Sequence, residues 1–212
     1  VTSAKIADGT IATADIADSA VTAVKTSGVG GDLSFGGDTF GADKVIGAND
    51  AYALSFETNN AVGLKIDSAG HVTKPLQSTF MAQQTGALTV ANTHTLFSTN
   101  TTERWDTNSD YNNSGTFTAP VTGKYMISVN VLFESISSND VFESRIVSSN
   151  RSYAMSRNSR GHASDASYVY NGASVIADLD ASDTVYVMHG SSTTASVHVS
   201  GNWSFWSIYL LG

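Results

Sequence analysis

Four of the five arginines fall between Arg145 and Arg160. They lie in or just before the run Arg151-Ser-Tyr153-Ala-Met-Ser-Arg157-Asn-Ser-Arg160-Gly-His162, and Tyr168 and Tyr170 follow. Guanidinium forks, flat phenol rings and short amide and hydroxyl side chains are what recognition of a carbohydrate or an acidic polymer asks for. A second loop gathers Trp105, Asp106, Asn108, Asp110 and Tyr111. The candidate receptor contacts are therefore Trp105, Asp106, Tyr111, Arg151, Tyr153, Arg157, Arg160 and His162. The competing reading makes the arginines a counterweight to an acidic chain and the aromatics core residues.

Covalent and metal chemistry find less support. The histidines (His71, His94, His162, His189 and His198) never form His-x-His or His-x-x-x-His. His198, between Val197 and Val199, would give a three-nitrogen metal site on a threefold axis; the alternative is a hydrogen-bonded strand histidine. Glu103, Asp106 and Asp110 obey no spacing rule for a glycosidase pair or a calcium loop. No Gly-x-Ser-x-Gly elbow occurs. The absence of cysteine excludes disulfides and thiolate sites. No catalytic residue, metal ligand or cofactor is assigned, and the expectation is a protein that is not an enzyme. A net charge of −8 argues against nucleic acid as a partner. The most apolar run, Trp203–Leu211, falls far short of the ~20 residues of a membrane-spanning helix. A start at Val1 rather than Met gives the expectation of a fragment or processed chain.

The elements that must position these residues read as β throughout. Residues 4–23 repeat with period five: Ile6, Ile11, Ile16 and Val21 each follow a small residue two places earlier. Period five keeps these residues on no single face of a helix or strand. It suits a chain that turns once per repeat and stacks on other coils or other copies; a polar low-complexity linker is the alternative. Gly28–Asp50 is rich in Gly and Asp and reads as turns between short strands. Leu54 and Phe56, then Leu64 and Ile66, alternate around Asn59-Asn60, which predicts a hairpin. Pro75 marks the boundary with the part beyond. We expect three segments: 1–27 a pentad-repeat fibre segment, 28–75 a Gly/Asp-rich β shaft with the hairpin, and 76–212 a β-sandwich head.

Within the head, strands are expected near 79–84, 94–98, 101–105, 115–119, 124–133, 140–148, 152–157, 166–179, 183–190 and 201–211. Tyr125, Ile127, Val129, Val131 and Phe133 should line the core. The last strand is apolar on both faces: Trp203, Phe205, Tyr209 and Leu211 on one, Trp206, Ile208 and Leu210 on the other. An outward sheet face in a lone sandwich should be polar. One face therefore requires cover, expected from other subunits. Ile6, Ile11, Ile16, Val21, Trp206, Ile208 and Leu210 are the residues assigned to that interface.

Gly115-x-Phe117-x-Ala119-Pro120-x-x-Gly123-x-Tyr125 resembles the signature turn of the C1q and tumour-necrosis-factor superfamily. Phe80-Met-Ala82, Asp110-Tyr111-Asn112, Leu179-Asp-Ala-Ser-Asp183-Thr-Val185-Tyr-Val187 and Ser204–Leu211 resemble its other strands, in order. Ser182 departs from it, standing where that family usually has Gly. The resemblance implies a trimeric jelly-roll head over roughly 78–212 and leaves Ca2+ in the head open. The pentads and the hairpin module resemble segments of trimeric phage tail fibres. Together they imply a homotrimeric virion fibre, extracellular, non-enzymatic and without membrane insertion. Its N-terminal end would meet other virion proteins, and its head a host-surface glycan or other receptor. A structural appendage whose head registers and caps the trimer is the alternative, with a polysaccharide depolymerase behind both.

Overall fold

The computed structural model of the chain describes residues 43, 45–91, 94–97, 101–137, 140–159, 166–198 and 202–212, with backbone alone at 154–159 and 166–167. The pentad residues Ile6, Ile11, Ile16 and Val21, and the loop residues Arg160 and His162, lie outside the described residues. Ala48–Gly212 is one compact unit. Period-two alternation is realised as fifteen strands among the described residues. No helix there is long and apolar enough to cross a membrane.

The hairpin forms as expected. Strands β1 (Leu54–Thr58) and β2 (Ala61–Ile66) pair antiparallel, and β3 (Val72–Thr73) adds to β2. Asn59 and Asn60 have φ of 51° and 59°, the positive values that a two-residue turn matching strand twist requires. The Asp67 carboxylate closes the next turn, accepting the N–H of Ala69 at 2.8 Å and of His71 at 2.9 Å.

The head follows as β4 (Thr79–Gln84), β5 (Leu88–Val90), β6 (Thr95–Leu96), β7 (Thr101–Asp106), β8 (Thr116–Thr118) and β9 (Gly123–Ile136). Then come β10 (Val141–Ser148), β11 (Ser152–Ser159), β12 (Ala166–Leu179), β13 (Thr184–Ser191), β14 (Ala195–Val197) and β15 (Phe205–Leu210). One sheet runs β11-β10-β13-β6, with β8 also on β13. The other is organised on β9. Its full length pairs with β12 on one side, from Gly123↔Leu179 to Ile136↔Ala166. On the other side β15 pairs with Tyr125 to Asn130 and β14 with Phe133 and Glu134. Between those two partners the Leu132 N–H reaches Ser204 Oγ at 3.1 Å, and the Leu132 carbonyl accepts the His198 N–H at 2.7 Å. The change of partner thus leaves the Leu132 backbone satisfied. Strands β4 and β7 extend the sheet beyond β15.

The core lies between the sheets, and rings cross it. Phe80 stacks on Tyr111 with centroids 4.5 Å apart and meets Trp206 edge-on at 4.5 Å. Phe133 of one sheet meets Phe142 of the other at 4.8 Å. Tyr125, Ile127, Val129, Val131 and Phe133 are all buried, as their alternation requires. The last strand corrects one expectation. Trp206 and Ile208 are 0% and 1% exposed inside a single subunit, and Leu210 packs against the same core. These three therefore belong to the sandwich interior and not to an interface between subunits. The cause is register: Trp206 and Ile208 stand opposite Val129 and Ile127, which already face inward.

Two turn residues show why their types matter. Gly123 is the first residue of β9 and does not take a positive φ. Its role is close approach: a Cβ there would lie 3.0 Å from Leu210 Cδ1 and 3.1 Å from the Gly212 carbonyl oxygen. Ser182 sits at φ 76° in the turn before β13, a conformation that strains a side chain and suits glycine. Ser182→Gly is therefore expected to stabilise the head by about 1 kcal/mol, read as a higher melting temperature.

Candidate functional site

The outward face of the β9 sheet carries the residues that alternate with the core. Its registered rows can be read across the strands. Ile176 of β12, Met126 of β9, Tyr209 of β15 and Thr79 of β4 form one row. Ser174, Ser128, Ser207, Met81 and Trp105 form the next. Ile176 is 59%, Met126 42%, Tyr209 45% and Trp105 49% exposed in one subunit. Further along, Trp203 meets Tyr170 edge-on at 5.8 Å, and its carbonyl accepts Asn130 Nδ2 at 2.9 Å. Tyr168 meets His198 edge-on at 5.2 Å, and His198 Nδ1 bonds Glu134. His198, one residue past the end of β14, is thus a hydrogen-bonded histidine. Exposed aromatic and aliphatic side chains gathered on one sheet face mark a candidate contact surface.

The described receptor candidates do not converge. Tyr111 is 4% exposed and stacked on Phe80; it is a core residue and offers nothing to a receptor. Asp106 accepts the backbone N–H of Asp110 at 3.1 Å and of Tyr111 at 2.8 Å, so it fixes the turn that buries Tyr111. Burial raises the Asp110 carboxyl, which accepts Ser78 Oγ at 2.6 Å. Trp105 belongs to the sheet face, beside Met81 in register. Arg157 pairs through its backbone with Glu143 near the far end of β11, roughly 20 Å along the strand from Arg151 at ~3.3 Å per residue. Among the described candidates, Arg151 and Tyr153 meet at a cavity. Its volume is about 300 Å³, and it is lined by Asn150, Arg151, Tyr153, Asp178, Leu179 and Asp180, about the lower size of ligand pockets. Asn150, Asp178 and Asp180 were not singled out from sequence, because no spacing joins a β10–β11 turn to the end of β12.

One pair in the head has the elements of a nucleophile and its base. Ser144 Oγ lies 2.9 Å from His189 Nδ1. Both residues are fully buried, with Phe97 and Phe133 presenting their rings to the imidazole. No substrate reaches them, so the bond serves the core. Desolvation, followed by the nearby His94, lowers the His189 pKa to about 3. His94 Nε2 lies 3.5 Å from Glu143 Oε2, and Glu143 is bonded to Arg145, which holds its carboxyl below the usual range. Because the unfolded chain binds a proton on this histidine near pH 6.5 and the folded one only near 3, stability falls as pH drops through that window. Each pH unit removes up to ~1.4 kcal/mol. In thermal melts from pH 7 to 4, wild type is expected to lose stability more steeply than His189→Phe.

Among the described residues no three His, Asp or Glu side chains cluster to hold a metal ion. No protein-family model matches the chain, and neither does any curated protein sequence. Solved structures do match. A tumour-necrosis-factor protein, Eiger, from S. frugiperda is 12% identical, with a TM-score of 0.51 over 64% of this chain and 93% of its own. The globular domain of zebrafish complement 1qA is 16% identical, with a TM-score of 0.47 over 64% of this chain and 98% of its own. Murine APRIL is 14% identical, with a TM-score of 0.47 over 64% and 99%. The fold is a C1q/TNF-like jelly roll, as the turn around Pro120 implied.

Proposed function

We propose that the head is a trimerising module at the end of a non-enzymatic virion fibre, and that it attaches the particle to a host surface through a glycan. The observation that carries the self-association is the outward face of the β9 sheet. Ile176, Met126 and Tyr209 stand in one row, with Trp105 in the next, all exposed on the outward face. Two further copies around a threefold axis cover such a face and leave each sandwich core unchanged. The pentad repeat and the hairpin ahead of the head support a fibre, with virion proteins meeting its N-terminal end. Among the described residues, the bonded Ser144–His189 pair is buried in the core and offers no nucleophile to a substrate.

The test is adsorption of the full chain to a panel of bacterial cells and purified surface polysaccharides, with polymer viscosity followed in parallel. Saturable adsorption without loss of viscosity supports the reading. Absence of adsorption with a threefold mass intact overturns attachment, in favour of an appendage whose head registers and caps the trimer. Falling viscosity overturns the non-enzymatic part.

A further inference from the structure

The cavity at the seam between the edge strands β11 and β12 is bounded by two turns that are tied to each other. Ser149 Oγ donates to Asp183 Oδ1 at 2.5 Å, Asn150 donates its amide to Asp183 Oδ2, and the Asp180 N–H reaches the same Oδ2 at 2.8 Å. The Ser149 N–H also bonds the Thr184 carbonyl at 2.9 Å. These bonds, led by Ser149, hold the Asp183 carboxyl below its usual range and leave it ionised. Asp183 thus joins the β10–β11 turn to the β12–β13 turn from behind the cavity. The Arg151 backbone is fixed as well: its carbonyl accepts the Ser148 N–H at 2.8 Å, and its N–H bonds Ser148 Oγ at 3.0 Å. The walls are therefore set before any ligand arrives.

What faces the cavity is a particular mixture. The Tyr153 ring packs against the core on one side and lines the cavity with Leu179. The Arg151 guanidinium and the Asp180 carboxylate have no side-chain partner among the described residues, while Asp178 Oδ1 lies 3.3 Å from Lys124 Nζ. Arg151 and Lys124 balance Asp178 and Asp180 in charge. A strongly anionic ligand would meet two carboxylates, and a cation the guanidinium. A neutral ring bearing several hydroxyls suits all of them: its hydroxyls donate to carboxylate oxygens and accept from the guanidinium, and its C–H face lies on the phenol ring. At about 300 Å³ the space suits one or two sugar residues of a longer chain.

We propose that this seam cavity is a binding site for a neutral saccharide unit, with Arg151, Asp178 and Asp180 as the hydrogen-bonding groups and Tyr153 as the platform. The assignment rests on the attachment reading and names its ligand class and location. The test is titration of the full chain, by saturation-transfer NMR and calorimetry, with the methyl glycosides of glucose, galactose, mannose and N-acetylglucosamine, and with glucuronate and sialic acid. It is repeated with Arg151→Ala and Asp180→Asn, whose exposed side chains leave the core untouched, and every variant's melting temperature is recorded. The expected result is millimolar binding of a neutral glycoside that weakens about tenfold in each variant at unchanged melting temperature. Binding of the acidic sugars alone, binding by both variants as tight as by wild type, or no binding by wild type overturns the assignment. Adsorption to cells, measured on the same variants, separates the two failures: adsorption unaffected by Arg151→Ala and Asp180→Asn refutes this cavity and leaves attachment standing.

Discussion

Glutamate at both Met126 and Tyr209 is expected to separate the heads from one another while each stays folded. The two side chains stand opposite each other in register and point away from the core. In a lone subunit either carboxylate would be hydrated at little cost. Between subunits each would be buried without a partner, which costs several kcal/mol per ion, and threefold symmetry repeats the penalty in every copy. Tryptophan fluorescence reads the outcome cleanly. Trp105 and Trp203 are exposed on this side of one subunit, whereas Trp206 is buried. Iodide should quench wild type weakly and the double variant strongly, with the melting transition of the sandwich preserved. Equal quenching of the two proteins would show that the face is open in wild type as well.

Trp206→Ala is expected to do the opposite: it damages the fold and not the face. Trp206 is fully buried, edge-on to Phe80 at 4.5 Å and to Tyr111 at 5.8 Å. Removing it leaves a cavity that those rings cannot fill by small movements, at a cost of ~3–5 kcal/mol. That is a large part of the ~5–15 kcal/mol by which a domain is ordinarily stable. Urea denaturation should show the midpoint shifting strongly, whereas Tyr209→Ala, three residues away on the other face, should shift the stability of the sandwich itself by less than ~1 kcal/mol. Similar losses for the two variants would contradict the assignment of the faces.

Much of this architecture was legible because its principal strands are long. Alternation over β9 and β12 runs far enough to mark which residues face inward, and Asn59-Asn60 marks its hairpin turn without help. The three-residue strands β5 (Leu88–Val90) and β14 (Ala195–Val197) escaped notice, since three residues carry no period and their pairing with each other and with β9 is set by tertiary contact. The last strand was legible as apolar on both sides, but sequence offers no reason to prefer Trp206 and Ile208 over Phe205 and Tyr209 for the interior. The register against Val129 and Ile127 decides that. Tyr111 misled for a related reason: it follows a polar turn, and the Asp106 carboxylate that folds that turn back, together with the backbone bridge to Phe117, brings it under Phe80. Of the seam cavity, Arg151 and Tyr153 were legible by composition. Asp178 and Asp180 join them only through the adjacency of β11 and β12.

The central claim is that the outward face of the β9 sheet is covered by copies of the same chain. Sedimentation equilibrium of the full chain at micromolar concentration tests it most directly. The expected result is a single species of three times 22.2 kDa. A stable species of 22.2 kDa across that concentration range would leave Met126, Tyr209, Ile176 and Trp105 facing water and contradict the account.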